Sequence, residues 1–174
     1  HTHAPRAKAL RCVTSKDGCF MVTKQNNGFD LIEILEIKEK DMGQYQPLAG
    51  SYAIIKVKGQ YLIGYNTFRQ QWEVPAGKRE KGETPLDCAR RELLEETGQS
   101  VVELKFVGLA RVKNHLNGAE KFNPLYYSTT NSLRPFQQNE EMSDIRLWDL
   151  EENLHIDKVD WAILDYVSLL KLKE

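Results

Sequence analysis

The sequence of 174 residues predicts an α+β fold with a mixed β-sheet, few helices and extra N-terminal strands. Short apolar runs separated by turn residues recur through most of the chain, which is the pattern of β-strands. Apolar residues at helical spacing occur in only two places, at 84–97 and after residue 157. Because strands and helices do not alternate regularly, a sheet built from repeated strand–helix–strand units is not favoured. The length is that of one domain, or of two at most.

The N-terminal part is predicted to be β-structure. Leu10–Val13 and Phe20–Thr23 flank the turn sequence Ser15–Gly18, which predicts a hairpin. Phe29–Ile37 is apolar enough for a third strand. The charged stretch Lys38–Gln46 is predicted to be a loop.

The central strands and the clearest helix follow. Strands are predicted at 52–57, 61–65 and 72–74, and the last of them ends at a proline. A helix is predicted at 84–97 because Thr84 is a suitable N-cap, Pro85 suits the first helical position and Asp87 completes a capping-box pattern. Gly98 is its expected stop.

The C-terminal part is predicted to hold three strands and a second helix. The strands are expected at 101–112, 122–130 and 145–150, with a polar loop at 133–143. Asp157 and Asp160 are candidate caps of the last helix, which shows helical apolar spacing at Trp161, Leu164, Val167 and Leu170–Lys171.

Composition excludes several classes of protein. The chain has 24 basic and 25 acidic residues, a net charge of −1, so no bulk electrostatic attraction to DNA or to an acidic membrane is expected. Three cysteines form no disulfide framework, which indicates a reducing, cytoplasmic location. No apolar run approaches the ~18 residues that a membrane span needs, and no signal peptide is expected.

The stretch from Gly77 to Gly98 carries the chemistry. Glu92, Glu95 and Glu96 lie three and four residues apart on the predicted helix, so their carboxylates share one face and repel each other. Such a group is tolerated when a cation compensates it, and hard oxygen ligands suit Mg²⁺ or Mn²⁺.

This stretch resembles the Nudix box. Gly77, Glu83, Arg91-Glu92-Leu93, Glu95-Glu96 and Gly98 match the family at its fixed spacing, whereas Gln99 stands where the family prefers an apolar residue. The resemblance implies an α/β/α sandwich that hydrolyses a nucleoside diphosphate linked to another moiety, with a small nucleotide as its substrate. A non-catalytic, nucleotide-sensing Nudix-like domain is the alternative of another class, and the complete set of carboxylates argues against it.

The resemblance also implies roles for particular residues. Glu92, Glu95 and Glu96 would bind the metal, with Glu83 and the backbone carbonyl of Ala76 or Gly77 as additional ligands, and Arg91 would orient the carboxylates. The general base stays open: it is Glu92 in mutator-type triphosphate pyrophosphatases and a downstream loop glutamate in ADP-ribose pyrophosphatases. Here the loop candidates are Glu140 and Glu141.

The substrate is predicted from the start of the box. The sequence from Trp72 to Gly77 resembles that of ADP-ribose and nucleotide-sugar pyrophosphatases, and these are the preferred substrates. A normal or oxidised nucleoside triphosphate is the alternative, and the 5′ end of RNA is a third reading that a basic patch at Lys78, Arg79 and Lys81 would serve. Candidate substrate contacts are Arg69, Gly77 and the aromatic rings of Phe68 and Trp72.

The domain division follows from the extent of the resemblance. The Nudix domain is expected at 49–174, preceded by a β extension at 1–48 whose residues 1–3 are interpreted as a tag remnant. An extension of this kind is expected either to cover an edge of the sheet or to form a homodimer interface.

Overall fold

A computed structural model describes residues 13–15, 18–20 and 28–172, the first two segments by their backbone alone. Val13–Ser15 (β1) pairs antiparallel with Gly18–Phe20 (β2), as the predicted hairpin requires. The outer parts of that prediction and residues 1–3 lie outside the described ranges.

The other described strands form one mixed sheet. They are Phe29–Leu35 (β3), Ser51–Val57 (β4), Gln60–Asn66 (β5), Gln71–Glu73 (β6), Ala76–Gly77 (β7), Lys105–Asn114 (β8), Glu120–Thr130 (β9) and Met142–Trp148 (β10). The order is β10-β5-β4-β9-β8-β3, with β6 beside β5 and β7 beside β4. The pair β4–β9 is parallel, and the other neighbouring strands run antiparallel.

Two helices cover the two faces of the sheet. Alternate residues of β4 point to opposite faces, so Ala53 and Ile55 pack against Leu93 of helix α1 (Pro85–Thr97). Ile54 points the other way and packs in the cluster that holds Ile163 of helix α2 (Lys158–Ser168). This arrangement of helix, sheet and helix confirms the predicted α+β class and the layered sandwich.

Helix α1 begins and ends where the sequence predicts. The Thr84 hydroxyl accepts a hydrogen bond from the Asp87 N–H at 3.1 Å, and Gly98 is left-handed with φ +72°. After the glycine, the side chain of Gln99 is buried, and its amide bonds both the N–H and the C=O of Arg134. The polar residue therefore fits a packed position because both ends of its amide are satisfied.

Several boundaries differ from the prediction. The stretch 38–46 contains a 3₁₀ helix, Glu39–Gln44, whose Met42 is buried against Leu35 and Leu109. Strand β8 starts at Lys105 rather than at residue 101, since Val102 is almost fully exposed and adds nothing to the core. Helix α2 ends at Ser168, so the apolar spacing at 170–171 continues beyond the helix itself.

Strand β3 extends the main sheet. It pairs with β8 from Phe29↔Asn114 to Leu35↔Leu109, so this part of the N-terminal segment covers the β8 edge. The division at residue 48 and the homodimer stay predictions. None of the helices in the described part of the chain is both long and apolar enough to cross a bilayer.

Candidate functional site

Strand β7 and helix α1 bring the two ends of the box together. Ala76 and Gly77 pair with Tyr52 and Ser51 of β4, which fixes β7 on the sheet. The Ser51 hydroxyl donates to the Pro85 carbonyl at 2.7 Å, so the same strand also holds the start of the helix. The carboxylates of α1 therefore face a rigid backbone.

Arg91 binds three of the four box carboxylates at once. Its Nε and Nη2 donate to Glu83 at 2.7 and 3.0 Å, and its Nη1 donates to Glu92 at 2.7 Å and to Glu95 at 3.1 Å. Nη2 also donates to the Lys78 carbonyl at 2.8 Å. The Arg91 guanidinium lowers the pKa of Glu83 to about 2. The predicted orienting contacts of Arg91 are thus present in the structure.

Glu92 and Glu96 form the inner part of the group. Glu96 is 7% exposed, and its Oε2 accepts from the Ala76 N–H at 3.4 Å. Burial raises the pKa of Glu96 well above its usual value, and contact with Glu92 and the charge of Glu141 raise it further. Two carboxylates in contact at a buried position favour either a proton or a metal cation between them.

The loop before β10 brings Glu141 to this group. The Asn139 side chain donates to the Glu95 carbonyl at 3.3 Å and accepts from the Glu141 N–H at 3.0 Å, which anchors the loop to α1. The pKa of Glu141 is raised, first by burial and also by the charges of Glu92, Glu73 and Glu95, while Arg69 opposes the shift. Glu140 is exposed, and its backbone carbonyl accepts a hydrogen bond from Thr67.

The donor atoms of this site suit a divalent cation. Within residues 28–172 no three acidic or histidine side chains already stand in ligand geometry, and Arg91 lies among the carboxylates. The predicted ligands nevertheless lie together: Arg91 donates hydrogen bonds to Glu83, Glu92 and Glu95. Glu96 contacts Glu92 and accepts a hydrogen bond from the Ala76 N–H. Their oxygens are hard donors, the type that Mg²⁺ and Mn²⁺ prefer.

A cavity of about 300 Å³ opens beside the carboxylates. Arg69 and Gly77, two of the candidate substrate contacts, line it together with Ala76. Phe68 and Trp72 are not among its lining residues. Phe68 is 72% exposed, and the Trp72 ring packs edge-on against Tyr65 with their centroids 5.3 Å apart. A role for these two rings in binding stays a prediction.

Other lining residues were not singled out by sequence reasoning. Glu73 accepts two hydrogen bonds from Arg69, at 2.7 and 2.8 Å, and faces the cavity. Tyr52, Lys121 and Asn123 also line it. The alternation of β4, β6 and β9 predicts which of their side chains share a face, but not that these faces meet at one cavity.

Asp157 and Asp160 act as more than helix caps. Asp157 accepts from the Asp160 N–H at 3.0 Å, as predicted for an N-cap. Asp160 is buried, accepts from the Val74 N–H at 2.8 Å, and lines the cavity together with Asp157. Burial raises the pKa of Asp160 well above its usual value, as do the charges of Asp157 and Glu73.

The chain is similar in sequence to two curated pyrophosphohydrolases over part of its length. The chain is similar to the RNA pyrophosphohydrolase of Bartonella bacilliformis, with 50% identity over 56 residues that cover 27% of this chain and 33% of the relative. It is also similar to the RNA pyrophosphohydrolase of Agrobacterium fabrum, with 35% identity over 79 residues that cover 40% and 45%. The matched part thus spans less than half the length of either curated relative.

The fold is similar to that of solved hydrolases. The crystal structure of the Bacillus subtilis pyrophosphohydrolase BsRppH superposes with a TM-score of 0.64 at 20% identity, covering 86% of this chain and 94% of that one. The family model of the NUDIX domain matches residues 48–168. This match confirms the resemblance that was drawn from the box, and the chain therefore belongs to the NUDIX domain family of hydrolases.

Proposed function

We propose that this protein hydrolyses the pyrophosphate bond of a nucleoside 5′-phosphate derivative with the help of divalent cations. The observation that carries the proposal is the contact between Glu92 and Glu96 at a buried position directly beside a cavity. Gly77 joins the two features, since it lines the cavity and lies against the Glu92 carboxylate.

The cation would be held by the carboxylates of α1. We assign Glu92, Glu95 and Glu96 as its ligands, with Glu83 and the Ala76 carbonyl as supporting groups. The Gly77 carbonyl already accepts a hydrogen bond from the Cys88 thiol at 3.3 Å, which favours Ala76 as the backbone donor. Nudix hydrolases generally use divalent metals, and hard oxygen donors favour Mg²⁺ or Mn²⁺. When bound, such an ion polarises a phosphoryl oxygen and lowers the pKa of water.

The chain's own side chains position the carboxylates and accept a proton. Arg91 is a positioning residue, because its guanidinium donates hydrogen bonds to Glu83, Glu92 and Glu95. Glu141 is our candidate for the general base in preference to Glu140, since it is partly buried and its pKa is raised by burial and by neighbouring carboxylates. Glu92 is the alternative base, as in the mutator-type enzymes.

Two classes of substrate are supported by separate observations. A 5′-triphosphate end, on a free nucleotide or on RNA, is favoured because both curated relatives are named RNA pyrophosphohydrolases. Lys78, Arg79 and Lys81 are exposed on the loop before α1 and would suit a nucleic acid end. ADP-ribose or a nucleotide sugar is favoured instead by the sequence from Trp72 to Gly77.

A panel assay tests the proposal. The protein is incubated with Mg²⁺ or Mn²⁺ and with ADP-ribose, nucleotide sugars, normal and oxidised nucleoside triphosphates, and 5′-triphosphorylated RNA, and the products are separated. Metal-dependent release of a nucleoside 5′-monophosphate, free or at an RNA end, is the expected result. Equal rates with and without a chelator, or no turnover of any substrate, would contradict it.

A further inference from the structure

Asn66 joins the candidate base Glu141 to the neighbouring strand β5. It is the last residue of that strand, is 0% exposed, and pairs with Met142, the residue after Glu141. Its Nδ2 donates to Glu141 Oε1 at 3.4 Å, which is long for a hydrogen bond. Hydrogen bonds of catalytic groups are often long before the substrate binds and shorten afterwards. The contact therefore gives the Glu141 carboxylate a buried, uncharged donor.

The orientation of the Asn66 amide follows from its other contacts. Its Oδ1 accepts the N–H groups of Phe68 and Arg69, both at 3.0 Å, in the turn that follows β5. The NH2 group then points to the other side of the amide, where Glu141 offers an acceptor. A reversed amide would place an oxygen against a carboxylate and an NH2 group against two N–H donors. The hydrogen bonds thus determine which atom faces Glu141.

The same turn also holds the backbone of Glu141. The Thr67 N–H donates to the Glu141 carbonyl at 2.7 Å, and the Thr67 hydroxyl donates to the same oxygen at 3.1 Å. Among the hydrogen bonds of residues 28–172, none ends on Oε2 of Glu141. The backbone and one carboxylate oxygen are therefore held, and the second oxygen is left to accept a proton.

A second turn in the protein separates the two roles of the Asn66 amide. Asn114 ends β8, and its Oδ1 accepts the N–H groups two and three residues further on, at 2.9 and 3.2 Å. No hydrogen bond within the described ranges joins the Asn114 amide nitrogen to a carboxylate. Such a turn needs only a side-chain acceptor, which Asp supplies as well as Asn. The contact of the Asn66 NH2 group with Glu141 is therefore a feature that the turn itself does not require.

The turn after β5 also reaches the cavity. Arg69, whose N–H is bound by Asn66, lines the cavity and donates two hydrogen bonds to Glu73. One side of the Asn66 amide thus holds the candidate base, and the other side holds the loop that contributes Arg69 to the cavity wall. Asn66 is placed to fix the position of the base relative to this wall.

We propose that Asn66 is a positioning residue, which holds Glu141 through Nδ2 in the orientation from which Oε2 accepts a proton from the attacking water. The inference rests on the proposed function, in which Glu141 is the general base. An uncharged donor suits this role because it fixes one carboxylate oxygen without the strong loss of basicity that a cation in contact would cause.

The first arm of the test measures the contact without turnover. Asn66→Asp keeps an acceptor for the turn but places a second carboxylate against Glu141, and adding Glu141→Gln restores a donor and an acceptor in reversed order. At about pH 8, above the usual pKa range of carboxyl groups, the urea midpoint should fall in Asn66→Asp and rise again in the pair. Asn114→Asp is the matched control, and Glu141→Gln should shift its midpoint only as it shifts that of wild type.

Two results of this arm would overturn the contact. They are an unchanged urea midpoint in Asn66→Asp and a pair that is no more stable than Asn66→Asp alone. If Asn66→Asp does not fold by itself, a folded pair supports the contact and an unfolded pair overturns it.

The second arm is kinetic and uses a substrate that wild type hydrolyses, with saturating Mg²⁺. Asn66→Ser keeps a hydroxyl acceptor for the turn, but its side chain is too short to hold Glu141. It should lower kcat by about 10- to 100-fold, the effect of losing a hydrogen bond to a charged group or of misplacing a reacting group, while KM stays within about threefold. In a Glu141→Gln background the same substitution should change kcat by less than about threefold, because the base is already absent. Asn114→Ser should leave both constants near wild type.

Three kinetic results would overturn the positioning role. They are an unchanged kcat in Asn66→Ser, a loss mainly in KM, and an equal loss of kcat in the Glu141→Gln background. The inference alone fails if Glu141→Gln is impaired and Asn66→Ser is not. A wild type that hydrolyses none of the substrates would overturn the proposed function, and this role with it, even where the first arm shows the contact.

Discussion

The Glu92 carboxylate occupies the space where a Cβ on Gly77 would lie. A Cβ built on Gly77 would lie 2.2 Å from the carboxyl carbon of Glu92 and 2.3 to 2.4 Å from its two oxygens. A side chain at position 77 would therefore require the Glu92 carboxylate to move. Through this contact β7 sets how far the Glu92 side chain reaches towards the cavity.

Gly77→Ala should displace the Glu92 carboxylate. Because β7 is held on β4 and the Glu92 carboxylate is the end of a flexible side chain, this side chain should move at little cost in the free energy of unfolding, and kcat should fall because the carboxylate is displaced. Urea denaturation and turnover check the two effects. Gly43→Ala is the matched control, since a Cβ there would meet nothing within 4 Å. Equal turnover in the two variants would show that Glu92 needs no fixed position.

Glu141→Gln and Glu140→Gln separate the two loop carboxylates. Removing a general base costs about 10²- to 10⁴-fold in rate, so kcat should fall by this amount in Glu141→Gln and stay near wild type in Glu140→Gln. Steady-state kinetics with saturating metal provides the comparison. Should neither variant lose activity while Glu92→Gln does, the base lies on the helix.

The framework of the fold could be predicted from local patterns. Thr84 and Gly98 mark the ends of α1 because capping depends on neighbours within four residues. The apolar run at 52–57 likewise predicted a strand, which the structure has at Ser51–Val57. The 3₁₀ helix at Glu39–Gln44 was missed because its one buried side chain, Met42, finds its partners on distant strands.

The residues that line the cavity are brought together by contacts between segments that are distant in the sequence. The sequence predicted Asp160 only as a candidate cap of the last helix. Its burial follows from the packing of α2 against Val74. Lys121 and Phe29 meet because β8 lies between their strands, a sheet order that the sequence pattern does not contain. The sequence offered Glu140 and Glu141 as equal candidates for the general base. In the structure, Asn139 anchors their loop to α1 and bonds the Glu141 N–H, which distinguishes Glu141 from Glu140.

Arg91→Gln should raise the pKa of Glu83. In the folded protein Arg91 holds this pKa at about 2, below the unfolded value near 4.3. A depressed carboxyl pKa contributes stability that is present above the unfolded value and is lost as the pH falls towards 2. The variant should therefore lose stability at neutral pH and show a shallower acid transition. A carboxyl titration by NMR that finds the Glu83 pKa unchanged would rule out Arg91 as its cause.

The contribution of Asp160 to the free energy of unfolding should change with pH in the opposite direction. Its folded-state pKa is raised by burial and by Asp157 and Glu73, so the folded state holds its proton more tightly than the unfolded state. The free energy of unfolding then falls as the pH rises from about 4 through the raised value. Asp160→Asn keeps an acceptor for the Val74 N–H and should flatten this slope in urea titrations from pH 4 to 8. If Asp160→Asn keeps the full slope of the free energy of unfolding against pH, groups other than Asp160 cause that slope.

The measurement that tests the account most directly is the turnover of Glu96→Gln as a function of Mg²⁺ concentration. The substrate is whichever one wild type hydrolyses fastest, and Glu103→Gln, at an exposed position, serves as the control. Wild type and the control should show the same saturating dependence on Mg²⁺. Glu96→Gln should remain folded yet lose more than about a hundredfold in kcat, since it lacks a direct ligand. A folded Glu96→Gln with the wild-type Mg²⁺ dependence and kcat would contradict the assignment of this carboxylate group as the metal site.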